Sequence, residues 1–142
     1  MKGRQKFKII STTADVGLTI FGKGLGEFYS NAWQGLNSLL FGDTEPCSGA
    51  HEPEKYCYRY HGDSRENVLN HFLSEILFLL YTRRKVTMGL DIKGAGEALL
   101  EADLLLKVME KDPEIEIKSV TYHNLHIKDE DGFLSATVIF DV

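Results

Sequence analysis

The chain has 142 residues, 43% of them hydrophobic and 26% charged, a globular balance that suits one domain around one core. Its formal net charge of −5 argues against tight, direct binding to bare nucleic acid, which needs a cationic surface. Two cysteines, Cys47 and Cys57, are too few for a disulfide-dense scaffold, and no apolar run reaches the ~18 residues of a membrane span. The basic start, Met1 to Lys6, lacks the apolar stretch of a signal peptide, so a cytoplasmic protein with no membrane contact is the expectation.

In chain order, Phe7–Ile10 and Leu18–Phe21 read as strand around the polar stretch Ser11 to Asp15. From Leu25, the apolar residues Phe28, Tyr29, Ala32, Leu36, Leu39 and Leu40 recur at helical spacing, and Gly42-Asp43 ends that helix. A polar loop, Thr44 to Pro53, follows. Tyr56, Tyr58 and Tyr60 then alternate with Cys57, Arg59 and His61, the period of a strand. Asp63 with Glu66 predicts a capping box opening a second helix, whose buried face is Val68, Leu69, Phe72, Leu73, Ile76, Leu77 and Leu80.

The remainder reads as strands. Val86, Met88, Leu90 and Ile92 alternate, as do Ala102, Leu104, Leu106 and Val108, although Ala98–Leu106 alone would also suit a helix. Asp112-Pro113 breaks the pattern. Ile115–Ile127 is expected to form one long strand, Asp131-Gly132 a hairpin turn, and Phe133–Asp141 the last strand. Helices segregated from a run of antiparallel strands predict an α+β fold.

Several motifs invite chemistry. Gly22-Lys23-Gly24-Leu25-Gly26-Glu27 has the strand–glycine–helix form of a phosphate cradle. It lacks both the third glycine of a dinucleotide fingerprint and the Gly-Lys-Ser/Thr of a P-loop, so a flexible turn is the expectation. Cys47, His51, Cys57 and His61 are zinc-type ligands, but Cys57 and His61 on one strand stand about 13 Å apart at ~3.3 Å per residue. Asp129-Glu130-Asp131-Gly132 opens like a calcium loop, yet its twelfth position is Phe140. His123 and His126, three apart on the predicted strand, point to opposite faces.

Asp15 interrupts an apolar region, and Asp141 follows the apolar strand end Val138-Ile139-Phe140, with Val142 expected to carry a free carboxylate. By spacing alone these are either unrelated surface acids or, if their strands meet, a hard, oxygen-rich site suited to Ca²⁺ or Mg²⁺.

Five segments, in order along almost the whole chain, carry a resemblance: Thr13-Ala14-Asp15-Val16-Gly17; Gly24 to Ala32; Asn67 to Phe78; Lys118-Ser119-Val120-Thr121-Tyr122-His123; and Val138-Ile139-Phe140-Asp141-Val142. Together they resemble the archease family. Thr12 stands where that family usually has histidine, and Met109 where it commonly has glycine. The resemblance implies two helices against a sheet and a chaperone-like activator of an RtcB-type RNA ligase, acting in tRNA splicing or RNA repair. Such an activator promotes guanylylation of the ligase and so its multiple turnover, without catalysing a reaction itself; some members are linked to a tRNA methyltransferase. The resemblance further implies a divalent metal, Ca²⁺ before Mg²⁺, at Asp15, Asp141 and Val142. It marks Lys118, His123 and Glu110 as contacts to partner or nucleotide. A metal-dependent hydrolase using the same carboxylates is the main alternative.

Overall fold

The alternating and helical patterns resolve into two antiparallel sheets and two helices, in a computed structural model that describes residues 5–49 and 51–142. In chain order the elements are β1 (Phe7–Ser11), β2 (Val16–Lys23), α1 (Gly24–Phe41), β3 (Glu54–His61), α2 (Arg65–Arg83), β4 (Lys85–Ala95), β5 (Leu99–Val108), β6 (Ser119–Val120), β7 (Lys128–Glu130) and β8 (Phe133–Asp141). One sheet runs β1-β2-β8, with β6 and β7 both on the far edge of β8; the other runs β3-β5-β4. The expected α+β class holds, and Ala98–Leu106, open to either reading, is largely β5.

Burial follows the two periodicities. Along β8, Leu134, Ala136, Val138 and Phe140 are buried while their neighbours are half-exposed, the signature of a strand with one face on the core. On α1 the stripe Phe28, Tyr29, Ala32, Leu36 and Leu40 is fully buried, and on α2 so are Val68, Leu69, Phe72 and Leu73. The helix α1 packs on β2, α2 on β3 and β4, and the helices touch each other. Phe72 joins the layers, its ring edge-on to Tyr29 at 5.9 Å and tilted against Tyr58 at 5.7 Å. Trp33 Nε1 and Asn37 Nδ2 both donate to the Thr87 carbonyl, at 2.9 and 2.7 Å, fixing α1 to β4.

The tyrosines of β3 form a second seam. Tyr56 donates to Glu75, Tyr58 meets His71 Nδ1 at 2.7 Å, and Tyr60 donates to Asn67 at 2.9 Å, with its ring stacked on His71 at 3.6 Å. Two strand residues advance about 6.8 Å and four helix residues about 6.0 Å, so the strand period of two keeps step with the helix period of four. Burial and the neighbouring Glu75 push the Tyr58 phenol far above its ordinary range, so it stays a neutral hydrogen-bonding group.

Three expectations are corrected. Ile115–Ile127 is not one strand: β6 and β7 are separated by a turn in which Asn124 takes φ +51°, and the Thr121 hydroxyl donates to the Ile139 carbonyl at 2.8 Å. His123 and His126 therefore lie off any strand and do not define opposite faces of one. The second helix is capped by Ser64, whose hydroxyl accepts from Asn67 N at 3.0 Å, and not by Asp63. Glu66 does not close a capping box; its carboxylate accepts from Ile127 N at 2.8 Å and so holds the turn. The Asp131-Gly132 hairpin forms as expected, both residues at positive φ between β7 and β8.

Arg65, in the first turn of α2, ties the sheets together. Its guanidinium reaches Asp129 on β7 at 3.0 Å and Glu97 in the β4–β5 turn. The Arg65 hydrogen bond, with one from Gly132 N, holds the Asp129 carboxyl below the usual carboxylate range.

These contacts generate three expectations. Ser64→Ala should cost about 1 kcal/mol in urea denaturation, and Asp63→Ala distinctly less, because only Ser64 caps the helix. At Gly22 an added Cβ would fall 2.5 Å from Phe28 N and Cα, so Gly22→Ala should lose about 1–3 kcal/mol by the same measurement. A depressed carboxyl contributes stability that is present above its unfolded pKa, ~3.9 for aspartate, and lost as pH falls through the lower folded value. Urea midpoints followed against pH should fall less steeply below pH ~4 in Asp129→Asn than in the native protein.

Candidate metal and partner site

The turn between β1 and β2 sets the first carboxylate. The Thr12 hydroxyl accepts from Ala14 N at 3.3 Å and Asp15 N at 3.0 Å, while Thr12 N donates to the Asp15 carbonyl at 2.9 Å. A short hydroxyl side chain closing its own turn is favoured chemistry for threonine. It fixes the Asp15 backbone and leaves its side chain in solvent.

The neighbouring strands bring the other groups to the same place. β2 and β8 pair antiparallel from Lys23↔Phe133 to Val16↔Phe140, and one further step along this register sets Asp15 opposite Asp141. On the other side of β8, Ser119 pairs with Asp141, and Lys118 N donates to the Asp141 carbonyl at 2.7 Å. Carried one step further, that register brings Lys118 beside Val142. Asp15, Asp141, Val142 and Lys118 thus share one end of one sheet.

This end is exposed and electrostatically unresolved. Asp15, Lys118, Asp141 and Val142 are all exposed, and the side chains of the first three make no hydrogen bond or ion pair with any described residue. Like charges opposite each other on adjacent strands destabilise the pairing, and a cation between them would relieve that cost. The donors are oxygen only, which fits a hard divalent cation. Among the described residues no three His, Cys, Asp or Glu side chains form a metal-ligand group. The fit rests on two side-chain carboxylates, Asp15 and Asp141, with the Val142 main chain beside them.

Glu110 and His123 do not join this cluster. The Glu110 carboxylate accepts from Ser48 N and from Ser48 Oγ at 3.1 Å, with His51 Nε2 at 3.7 Å, and Glu110 N donates to the Pro46 carbonyl at 2.8 Å. The Ser48 N–H, then the Ser48 hydroxyl and His51, hold its carboxyl below the usual range. Glu110 therefore anchors the loop that precedes β3. His123 is exposed in the turn after β6, its N donating to Thr121 Oγ1 at 3.3 Å. Met109 N bonds the Arg84 carbonyl at one end of α2, while Asn67 Nδ2 bonds the Tyr122 hydroxyl at the other. Seventeen residues of helix at ~1.5 Å each separate those anchors by roughly 25 Å, so Glu110 and His123 sit at opposite ends of α2.

The remaining motifs have structural roles. Gly22 is required by the close approach of Phe28, and the first turn of α1 already uses Glu27, which accepts from Lys23 N. Cys57 and His61 lie four residues apart on β3, with Cys47 buried in the core. Sequence reading passed over Phe78 and Tyr81, two exposed aromatics on α2 beside Lys118. The available signal was that both are large and apolar yet fall outside the helix's buried stripe.

The Archease protein family (MTH1598/TM1083) matches residues 7–142. The archease of Methanothermobacter thermautotrophicus is 30% identical over the full length of both chains. That of Thermoplasma volcanium is 29% identical over 96% of this chain and 98% of its own. The solution structure of Methanobacterium thermoautotrophicum protein 1598 is similar at a TM-score of 0.66 and 26% identity, covering 96% of this chain and 99% of its own. A Thermotoga maritima archease, described as a possible chaperone, has the same fold at a TM-score of 0.65 and 22% identity over all of both chains. With the match spanning residues 7–142, the chain belongs to the archease family.

Proposed function

We propose that this protein is a non-catalytic activator of an RtcB-type RNA ligase. It would hold a divalent cation, Ca²⁺ in the first place and Mg²⁺ in the second, at Asp15, Asp141 and Val142. The observation that carries this reading is the meeting of unpaired Asp15, Asp141 and Lys118 at one exposed sheet end. Family membership supports it.

An activator shifts its client's conformational equilibrium only by binding one state more tightly than another. The exposed sheet end suits such binding, because its charged groups lie open to a partner. Asp15 and Asp141 supply the hard oxygen donors. A bound cation supplies fixed positive charge that offsets the two adjacent carboxylates. Lys118 presents an unpaired ammonium to a phosphate or carboxylate of the ligase.

The test is multiple-turnover RNA ligation with substoichiometric amounts of this protein. The native protein should carry the ligase beyond one turnover, and Asp15→Asn or Asp141→Asn should lower that stimulation at least tenfold while leaving the thermal midpoint within a few degrees. Calorimetric titration with Ca²⁺ should give saturable binding to the native protein and none to either variant. Full stimulation by Asp15→Asn would sink the metal assignment; no stimulation by the native protein of a demonstrably active ligase would sink the activator reading.

A further inference from the structure

The outer face of α2 carries Phe78, 47% exposed, and Tyr81, 37% exposed, one helical turn apart. Together with Leu77, Ile117, Lys118 and Val120 they line a groove of about 320 Å³ between α2 and the segment 117–120. Two hydrogen bonds staple its walls: Ile117 N donates to the Tyr81 hydroxyl at 2.9 Å, and Asn70 Nδ2 to the Val120 carbonyl at 3.0 Å. Asn70 is 8% exposed, so the second staple is shielded from water. The groove is therefore preformed, and an occupant would not have to order it.

Its surroundings distinguish it from scattered surface apolarity. Of the seven large apolar side chains exposed among the described residues, two, Phe78 and Tyr81, stand together here. A single cation, the Lys118 ammonium, stands on the rim with no ion-pair partner among the described residues. Exposed aromatics around an apolar slot, next to one unpaired charge, have the composition of an interface anchor. At about 320 Å³ the groove lies at the small end of the range for drug-sized ligands, a size that suits one or two side chains of a docked chain.

We infer that this groove seats an apolar segment of the partner protein, with an apolar side chain between Phe78 and Tyr81 and a carboxylate on Lys118. The inference rests on the activator reading, because Lys118 makes the groove continuous with the candidate metal site. It adds an apolar docking step that does not depend on the cation. Aromatic anchors in such slots carry a disproportionate share of interface affinity. Removing Phe78 should therefore weaken association while leaving the carboxylates as they are.

The experiment measures binding of full-length ligase to the full chain, native and as Phe78→Ser, Phe78→Leu and Leu105→Ser. Leu105, 39% exposed on β5, controls for the loss of any exposed apolar side chain. The expected result is at least a tenfold weaker complex for Phe78→Ser, substantial recovery for Phe78→Leu, and native affinity for Leu105→Ser. Calcium affinity and thermal midpoint should be unchanged in all three. Native affinity of Phe78→Ser for the ligase overturns the groove assignment and leaves the activator reading standing. Absence of any complex with the native protein overturns both. Concentration-dependent dimerisation in sedimentation, abolished by Phe78→Ser without change in ligase affinity, assigns the groove to a second copy and likewise overturns the proposal.

Discussion

The pairing of β2 with β8 is the constraint on which the rest of the molecule depends. It joins residues near the two ends of the chain, Val16 with Phe140, across the whole intervening sequence. Every other part of the first sheet hangs on it: among the described residues β1 pairs only with β2, and β6 and β7 pair only with β8. Closing so long a loop costs entropy that only the completed ladder and the core beneath it can offset. Leu18, Ile20, Val138 and Phe140 supply that core on the strand side, with α1 packed over β2. The same register leaves little freedom at the sheet end. A slip of one residue would turn the apolar set of the slipped strand, with Leu18 or Val138, toward solvent and separate Asp15 from Asp141. The apolar core thus fixes the geometry of two exposed acids that contribute nothing to it.

Much of this was legible in the sequence because it rests on periodicity. The alternation from Phe133 to Phe140, the helical stripes around Phe28 and Leu69, and the Asp131-Gly132 turn each express a local preference that the fold keeps. Legibility failed where a tertiary partner overrode a local signal. Glu66 stands where a capping box predicts a helix-capping acid, but Ile127 N claims its carboxylate while Ser64 supplies the cap. The stretch from Ile115 to Ile127 has strand composition, yet its backbone leaves the edge of β8 to close against α2. There Asn70 takes the Val120 carbonyl and Asn67 the Tyr122 hydroxyl. Spacing could nominate Asp15 and Asp141 but could not make their strands neighbours. That fact belongs to topology, and the family resemblance carried it.

The two sheets are held in one body by α2. Its first turn reaches both through Arg65, its middle meets β3 through His71, and its last turn meets the 117–120 segment through Tyr81. The helix therefore works as a ruler. Groups tied to its opposite ends, such as Glu110 and His123, cannot serve one small site, whereas groups tied to one sheet end can.

The proposed activator role is compatible with the exposure of this site. Catalysis by electrostatic preorganisation gains most where water is excluded and the local dielectric is low. Asp15, Asp141 and Lys118 lie in solvent, where charge–charge energies are weak and screened. The same groups become strong only when another surface covers them and removes the water. A second protein can do that, and the low-dielectric environment then exists only in the complex. The wall of α2 beside Lys118 offers apolar surface for such covering, and the paired carboxylates offer charge that gains strength as it is covered. On the proposed reading, a site arranged in this way is complete only when its partner is bound.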